Sequence, residues 1–288
     1  MIKLILILFS TIGFSNSYQL TIHPGFVKYF QYEIDEPIKA GSYLLCDGNA
    51  IYVSTKNGEI SGYLSENYFS SRKSFTCSLM GTNEKEYNFN LNVRVKPYNY
   101  KSEKLSVKPK RVNLNKFDKE TVDNEKKLLK DLYQTSEEEF NFNTPFKRPL
   151  NTKVTSSFGK KRIFNKHHKT QHLGIDFRSG TGRKIPVSNK GRVVLVDDLF
   201  YSGKTVIVDH GNRVFTLYGH LSKTFVDQGQ LLDQGHPVGL SGATGRVTAP
   251  HLHWGVVVNG NLVNGFSLIE ESEKHFSSFK KNNELSRN

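Results

Sequence analysis

Hydrophobic and polar residues alternate along much of the chain with a period of two. In "EYNFNLNVRV", Tyr87, Phe89, Leu91, Val93 and Val95 fall on one face, and Asn88, Asn90, Asn92 and Arg94 on the other. That is the pattern of a strand with one face on a core. Turn signals at Pro24-Gly25, Asp47-Gly48, Asn57-Gly58 and Gly81 interrupt similar runs, so residues 18–98 read as a small antiparallel β-sandwich-like domain. Residues 101–116 are basic and poor in core formers, as a linker would be. In "FDKETVDNEKKLLKDLYQ", Val122, Leu129, Leu132 and Tyr133 stand at helical spacing. This predicts one connecting helix, with Asp118 or Thr121 as cap, so that linker and helix fill 99–143. From 144 to 270, β-branched runs such as "GRVVLVDD", "KTVIVDHG" and "LHWGVVVNGNLV" alternate with glycine and asparagine turns, predicting a second β domain of many short strands. The polar end, 271–288, reads as a flexible tail. The fold class expected is all-β.

The first residues change the setting. "MIKLILILFSTIGFSNS" has one lysine, an apolar run from Leu4 to Phe14, and small residues at Ser15 and Ser17. This is the plan of a cleavable signal peptide, expected at 1–17, and its apolar run is short for a membrane span. No later stretch is long and apolar enough for a membrane helix. A periplasmic or secreted protein is therefore expected. In that compartment the only two cysteines, Cys46 and Cys77, read as one disulfide. The formal charge of +13 favours an anionic partner. For an exported chain that points to cell-envelope polyanions rather than nucleic acid.

Candidate chemistry lies in the histidines. Eight of the ten fall between residues 167 and 253. His167 and His168 read as a solvated loop and His210 as a hairpin turn, while His23, His236 and His275 have no evident partner. The other four stand in three settings. "HLGIDF" gives His172 and Asp176, four apart. "LYGHLS" puts His220 at the end of a strand. "PHLHW" puts His251 and His253 two apart, on one face of a strand. Two imidazoles and a carboxylate are ligands that zinc accepts, with a fourth position open for water. One ring of the "HLH" pair and His220 would then remain to manage protons and a developing oxyanion.

"SSFGKKR", "HLGIDF", "GRVVLV", "KTVIVDHGNRVFTLYGHLS" and "GQLLDQGHPVGLSGATGRVTAPHLHW", in that order, resemble the lysostaphin/LytM-type zinc endopeptidases of peptidoglycan. The likeness covers about residues 154–265. It implies an antiparallel β sheet with one zinc ion in a groove above it, held by His172, Asp176 and His253. It makes His220 and His251 the pair that flanks the reacting water and stabilises the tetrahedral intermediate. It implies peptidoglycan as partner and hydrolysis of its stem or cross-link peptides. Two positions depart from the pattern: Ala249 and Gly255 stand where many relatives have glycine and glutamate. Relatives that have lost ligands act as activators of other wall enzymes, which leaves a non-catalytic wall-binding or activating module as the alternative. In several relatives an N-terminal segment occludes the zinc, and residues 101–151 could reach the groove.

Overall fold

The structure, a computed structural model, describes residues 16–105, 115–164 and 168–285. The expected leader falls outside them except for its last two residues. The N-terminal unit has eight strands: β1 (Asn16–Ile22), β2 (Val27–Glu33), β3 (Tyr43–Cys46), β4 (Asn49–Tyr52), β5 (Ser54–Lys56), β6 (Glu59–Ser65), β7 (Ser74–Met80) and β8 (Glu86–Val95). A five-stranded sheet, β1-β8-β7-β3-β4, faces a three-stranded one, β2-β6-β5. The inward residues of β8, Tyr87, Phe89, Leu91, Val93 and Val95, meet Phe30, Ile60 and Leu64 from the smaller sheet in one core. The Cys46–Cys77 disulfide joins the paired strands β3 and β7 inside it. The expectation of a purely antiparallel sandwich is corrected at one edge: β1 runs parallel to β8, Asn16 opposite Phe89 through Ile22 opposite Val95.

The expected linker contains a strand. β9 (Ser102–Leu105) pairs in parallel with β11 (Lys160–Phe164) of the second unit, and β12 (His168–His172) completes a three-stranded sheet. Helix α1 (Lys116–Leu132) follows, where the apolar spacing predicts it. Its cap is Asn115 rather than Asp118 or Thr121: the Asn115 side chain accepts the Asp118 amide at 2.8 Å. Leu129, Leu132 and Tyr133 pack on Leu195, Leu199, Ile207, Phe215 and Val257.

The C-terminal unit continues with β10 (Val154–Ser156), β13 (Ile175–Arg178), β14 (Lys184–Pro186), β15 (Gly191–Leu199), β16 (Gly203–Asp209), β17 (Val214–Thr224), β18 (Leu231–Leu232), β19 (Pro237–Ser241), β20 (His251–Val258) and β21 (Asn261–Leu262). These ten form one sheet along the path β10-β13-β20-β17-β16-β15-β18, with β14, β19 and β21 paired off it. Every pairing in it is antiparallel. Leu252, Trp254, Val256 and Val258 of β20 face the main core, so His251 and His253 face the other way, as the alternation of a strand requires.

The last element overturns an expectation. Residues 271–285 are not a flexible tail: they belong to α2 (Gly265–Leu285). Glu271, Ser272 and His275 are buried. The Glu271 carboxylate accepts from the Tyr29 amide and pairs with Lys28, and Ser272 Oγ accepts the Phe146 amide. His275 stacks on Tyr29, and its ring nitrogen lies 2.9 Å from the Tyr63 hydroxyl. The helix thus bolts the N-terminal unit to the second sheet. Among the described residues no helix is long and apolar enough to cross a membrane.

Candidate active site

The five candidate residues come together through sheet register. Four adjacent strands carry Ser156, Asp176, His253 and Gly219 side by side, since Ser156 pairs with Asp176, Asp176 with His253, and His253 with Gly219. Directly opposed residues share a face. His172 ends β12 and turns through Leu173 and Gly174 back over this row. His220 reaches the same face by a different device. Between the Lys204–Leu221 and Val206–Tyr218 pairings, β17 carries one residue more than β16, so Gly219 and His220 together oppose Thr205. This bulge re-aims a side chain. It turns His220 towards the site while Tyr218 and Leu221 stay in the core. His220 is held in the left-handed region, φ +62°, by its amide bond to the Ser202 carbonyl at 2.6 Å. The sequence places it at a strand end; it stands inside a strand, at the irregularity.

Asp176 Oδ1 lies 2.9 Å from His172 Nε2, 2.9 Å from His253 Nδ1 and 3.5 Å from His251 Nε2. His172 Nε2 and His253 Nδ1 are 3.3 Å apart. One ligand atom from each of His172, Asp176 and His253 falls within 4.8 Å of the others. The ring centroids of His220 stand 4.7 Å from His251 and 5.7 Å from His253.

Backbone acceptors set the imidazole orientations. His172 Nδ1 is 3.1 Å from both the Ser157 carbonyl and Ser156 Oγ. His220 Nδ1 donates to the Thr244 carbonyl and His251 Nδ1 to the Ala249 carbonyl, each at 2.9 Å. With Nδ1–H engaged, each Nε2 turns a lone pair to the site. His253 is the exception and offers Nδ1. Gly174 gives it room: a Cβ there would stand 2.3 Å from His253 Cε1.

The electrostatics are one-sided. Burial would raise the Asp176 pKa, but the close imidazoles of His172, His251 and His253 outweigh it and hold the carboxyl far below the usual range. Burial, with His253 and His251 nearby, lowers His220 to about 4, and burial lowers His253. The site therefore keeps an anion beside two rings, His220 and His253, that resist protonation. Lone pairs from a carboxylate and two imidazoles aimed at one point repel each other, and a cation between them removes that repulsion. The donor set fits a divalent ion such as zinc.

The remaining histidines lie apart. His210 stands in the hairpin connection between β16 and β17, as expected, but is buried: its two nitrogens meet the Lys190 carbonyl and Thr216 Oγ1 at 2.7 and 2.8 Å. His236 is exposed, and His23 Nδ1 bonds the Lys96 carbonyl. His168 opens β12 and His167 lies outside the described residues. Sequence reasoning singled out none of the orienting groups Ser156, Ser157 and Thr244; "SSFG" held the only signal for the first two. The linker helix shares the site's face of the sheet. Val257, which packs at its C-terminal end, lies four residues from His253 along β20, about 13 Å at strand rise.

Residues 170–265 match the profile of peptidase family M23. The peptidoglycan DD-endopeptidases ShyA and ShyB of Vibrio cholerae are 40% and 36% identical to this chain over 122 and 138 residues. Those stretches cover 40% and 46% of this chain, and 28% and 32% of the two relatives. The chain thus matches less than a third of the length of either. A solved structure of a Pseudomonas aeruginosa protein assigned to peptidase M23 covers 86% of this chain and 95% of its own at a TM-score of 0.68. At 23% identity that likeness concerns the fold, both units included. Residues 170–265 of this chain are a domain of peptidase family M23.

Proposed function

We propose that this chain is an exported zinc metallo-endopeptidase that hydrolyses peptide bonds in the stem or cross-link peptides of peptidoglycan. The observation that carries the reading is the convergence of His172 Nε2, Asp176 Oδ1 and His253 Nδ1 beside two further imidazoles. His172, Asp176 and His253 would hold one zinc ion per chain. A bound zinc ion supplies Lewis acidity, which polarises a carbonyl and lowers the pKa of water. The chain's own groups do the rest. His220 and His251, oriented by the Thr244 and Ala249 carbonyls, present Nε2 to the same space. One takes the proton of the attacking water at Nε2 and passes it to the leaving amine. The other, once protonated at Nε2 to an imidazolium, donates to the oxygen that becomes negative. The expected leader, the disulfide and the chain's net charge of +13 suit work on an anionic wall.

The test joins metal content to products. Purified protein carries about one zinc per chain and releases soluble peptides from isolated peptidoglycan, read by mass spectrometry on defined muropeptides. His172→Ala loses both. A His172→Ala protein with full zinc and full activity would overturn the assignment, and wall binding without products would favour the non-catalytic module.

A further inference from the structure

The N-terminal unit is joined to the site by one aromatic cluster. Tyr68, in the loop after β6, donates its hydroxyl to the Gly159 carbonyl at 2.9 Å. Tyr100, in the segment that leaves β8, packs on Gly159: a Cβ on that glycine would stand 2.0 Å from the ring. The Tyr100 hydroxyl donates to the Pro24 carbonyl at 2.6 Å, so a single phenol spans the turns of both units. Tyr68 and Tyr100 meet at 4.6 Å between centroids, tilted by 43°, and Phe158 closes the cluster at 6.0 Å from each.

The segment gripped in this way orients His172. Ser156 and Ser157 provide the two acceptors for its Nδ1, and the Gly159 amide donates to the His172 carbonyl at 2.7 Å. Both the ring and the backbone of His172 thus hang on residues 156–159. Gly159 is in the left-handed region, φ +77°, in the short turn between the ends of β10 and β11, where Tyr68 and Tyr100 pack on it.

We propose that Tyr68 and Tyr100 are positioning residues for metal binding: they fix the 156–159 turn, and through it the direction in which His172 presents Nε2. The proposal rests on the zinc-site reading above and goes beyond it by giving the N-terminal unit a part in building the site. Groups that orient a ligand from behind typically change metal affinity 10- to 100-fold when removed.

The experiment uses the full chain and metal alone. Zinc affinity is measured by chelator competition, and ligand geometry by the visible absorption of the cobalt(II)-substituted protein. Tyr100→Ala weakens zinc binding by about 10- to 100-fold and alters the cobalt spectrum. Tyr100→Phe keeps the ring on Gly159 and restores most of the affinity. Leu91→Ala, in the distant N-terminal core, lowers the melting temperature and leaves both metal readouts at wild-type values. Folded Tyr100→Ala with wild-type affinity and spectrum would overturn the proposal while leaving the zinc site standing. So would Leu91→Ala reproducing the metal defect, since general loosening would then explain it. Wild-type protein that binds no zinc would overturn the metal reading itself.

Discussion

Gly174→Ala adds one methyl group and touches no charge, no donor and no acceptor. Its Cβ would stand 2.3 Å from His253 Cε1 and 2.5 Å from Nε2, with the Trp254 carbonyl at 3.1 Å. Ordinary contact begins at 3.4 Å, so the ring must withdraw by about an ångström or the turn must open. Retreat breaks the 2.9 Å approach of His253 Nδ1 to Asp176. Opening the turn moves His172 and Asp176, which flank Gly174 in the chain. Overpacking of this kind costs about 1–3 kcal/mol. Taken from the metal-bound geometry, that is roughly a 5- to 150-fold weaker zinc complex. Chelator competition measures it. Gly180→Ala is the matched control, because nothing lies within 4 Å of a Cβ at Gly180. If Gly174→Ala bound zinc like the wild type, the packing of His253 against this turn could not be what aims its Nδ1.

His220→Ala and His251→Ala each keep zinc but lose turnover by about 100- to 10,000-fold, read as metal content against muropeptide release. Cys46→Ser with Cys77→Ser opens a 31-residue loop and lowers stability by about 3–4 kcal/mol in denaturant titrations, leaving zinc affinity unchanged. Acid destabilises the fold through rings far from the site: burial holds His210 and His275 near 4, below the 6.5 of a free imidazole. Their contribution is complete above about pH 6.5 and is lost as pH falls towards 4, by up to about 3 kcal/mol per ring. Melting curves across that interval flatten in His275→Gln; an unchanged slope would remove His275 as a source.

Local periodicity made part of this legible. Strand alternation put His251 and His253 on one face before any neighbour was known, and the N-terminal core stripe of β8 followed the same rule. Two cysteines in a chain expected to be exported were enough to pair them. The C-terminal helix was hidden because its inward stripe turns polar after Leu268: Glu271, Ser272 and His275 are buried against partners more than 100 residues away. No hydrophobic period could announce them. The bulge at Gly219–His220 escaped for a related reason, since an extra residue in one strand shows only beside its partner. The supports of His172 depend on Tyr68, Tyr100 and Ser157 meeting in space, which no spacing encodes.

The two candidate imidazole ligands use different nitrogens, and this makes the positions unequal as targets for redesign. Nδ1 sits as far from Cβ as the amide oxygen of asparagine, whereas Nε2 sits where the longer glutamine reaches. Asparagine at 253 can therefore offer an oxygen close to the vacated nitrogen, and glutamine is the better surrogate at 172. Exchanging the two surrogates leaves each donor a bond too long or too short for the cage.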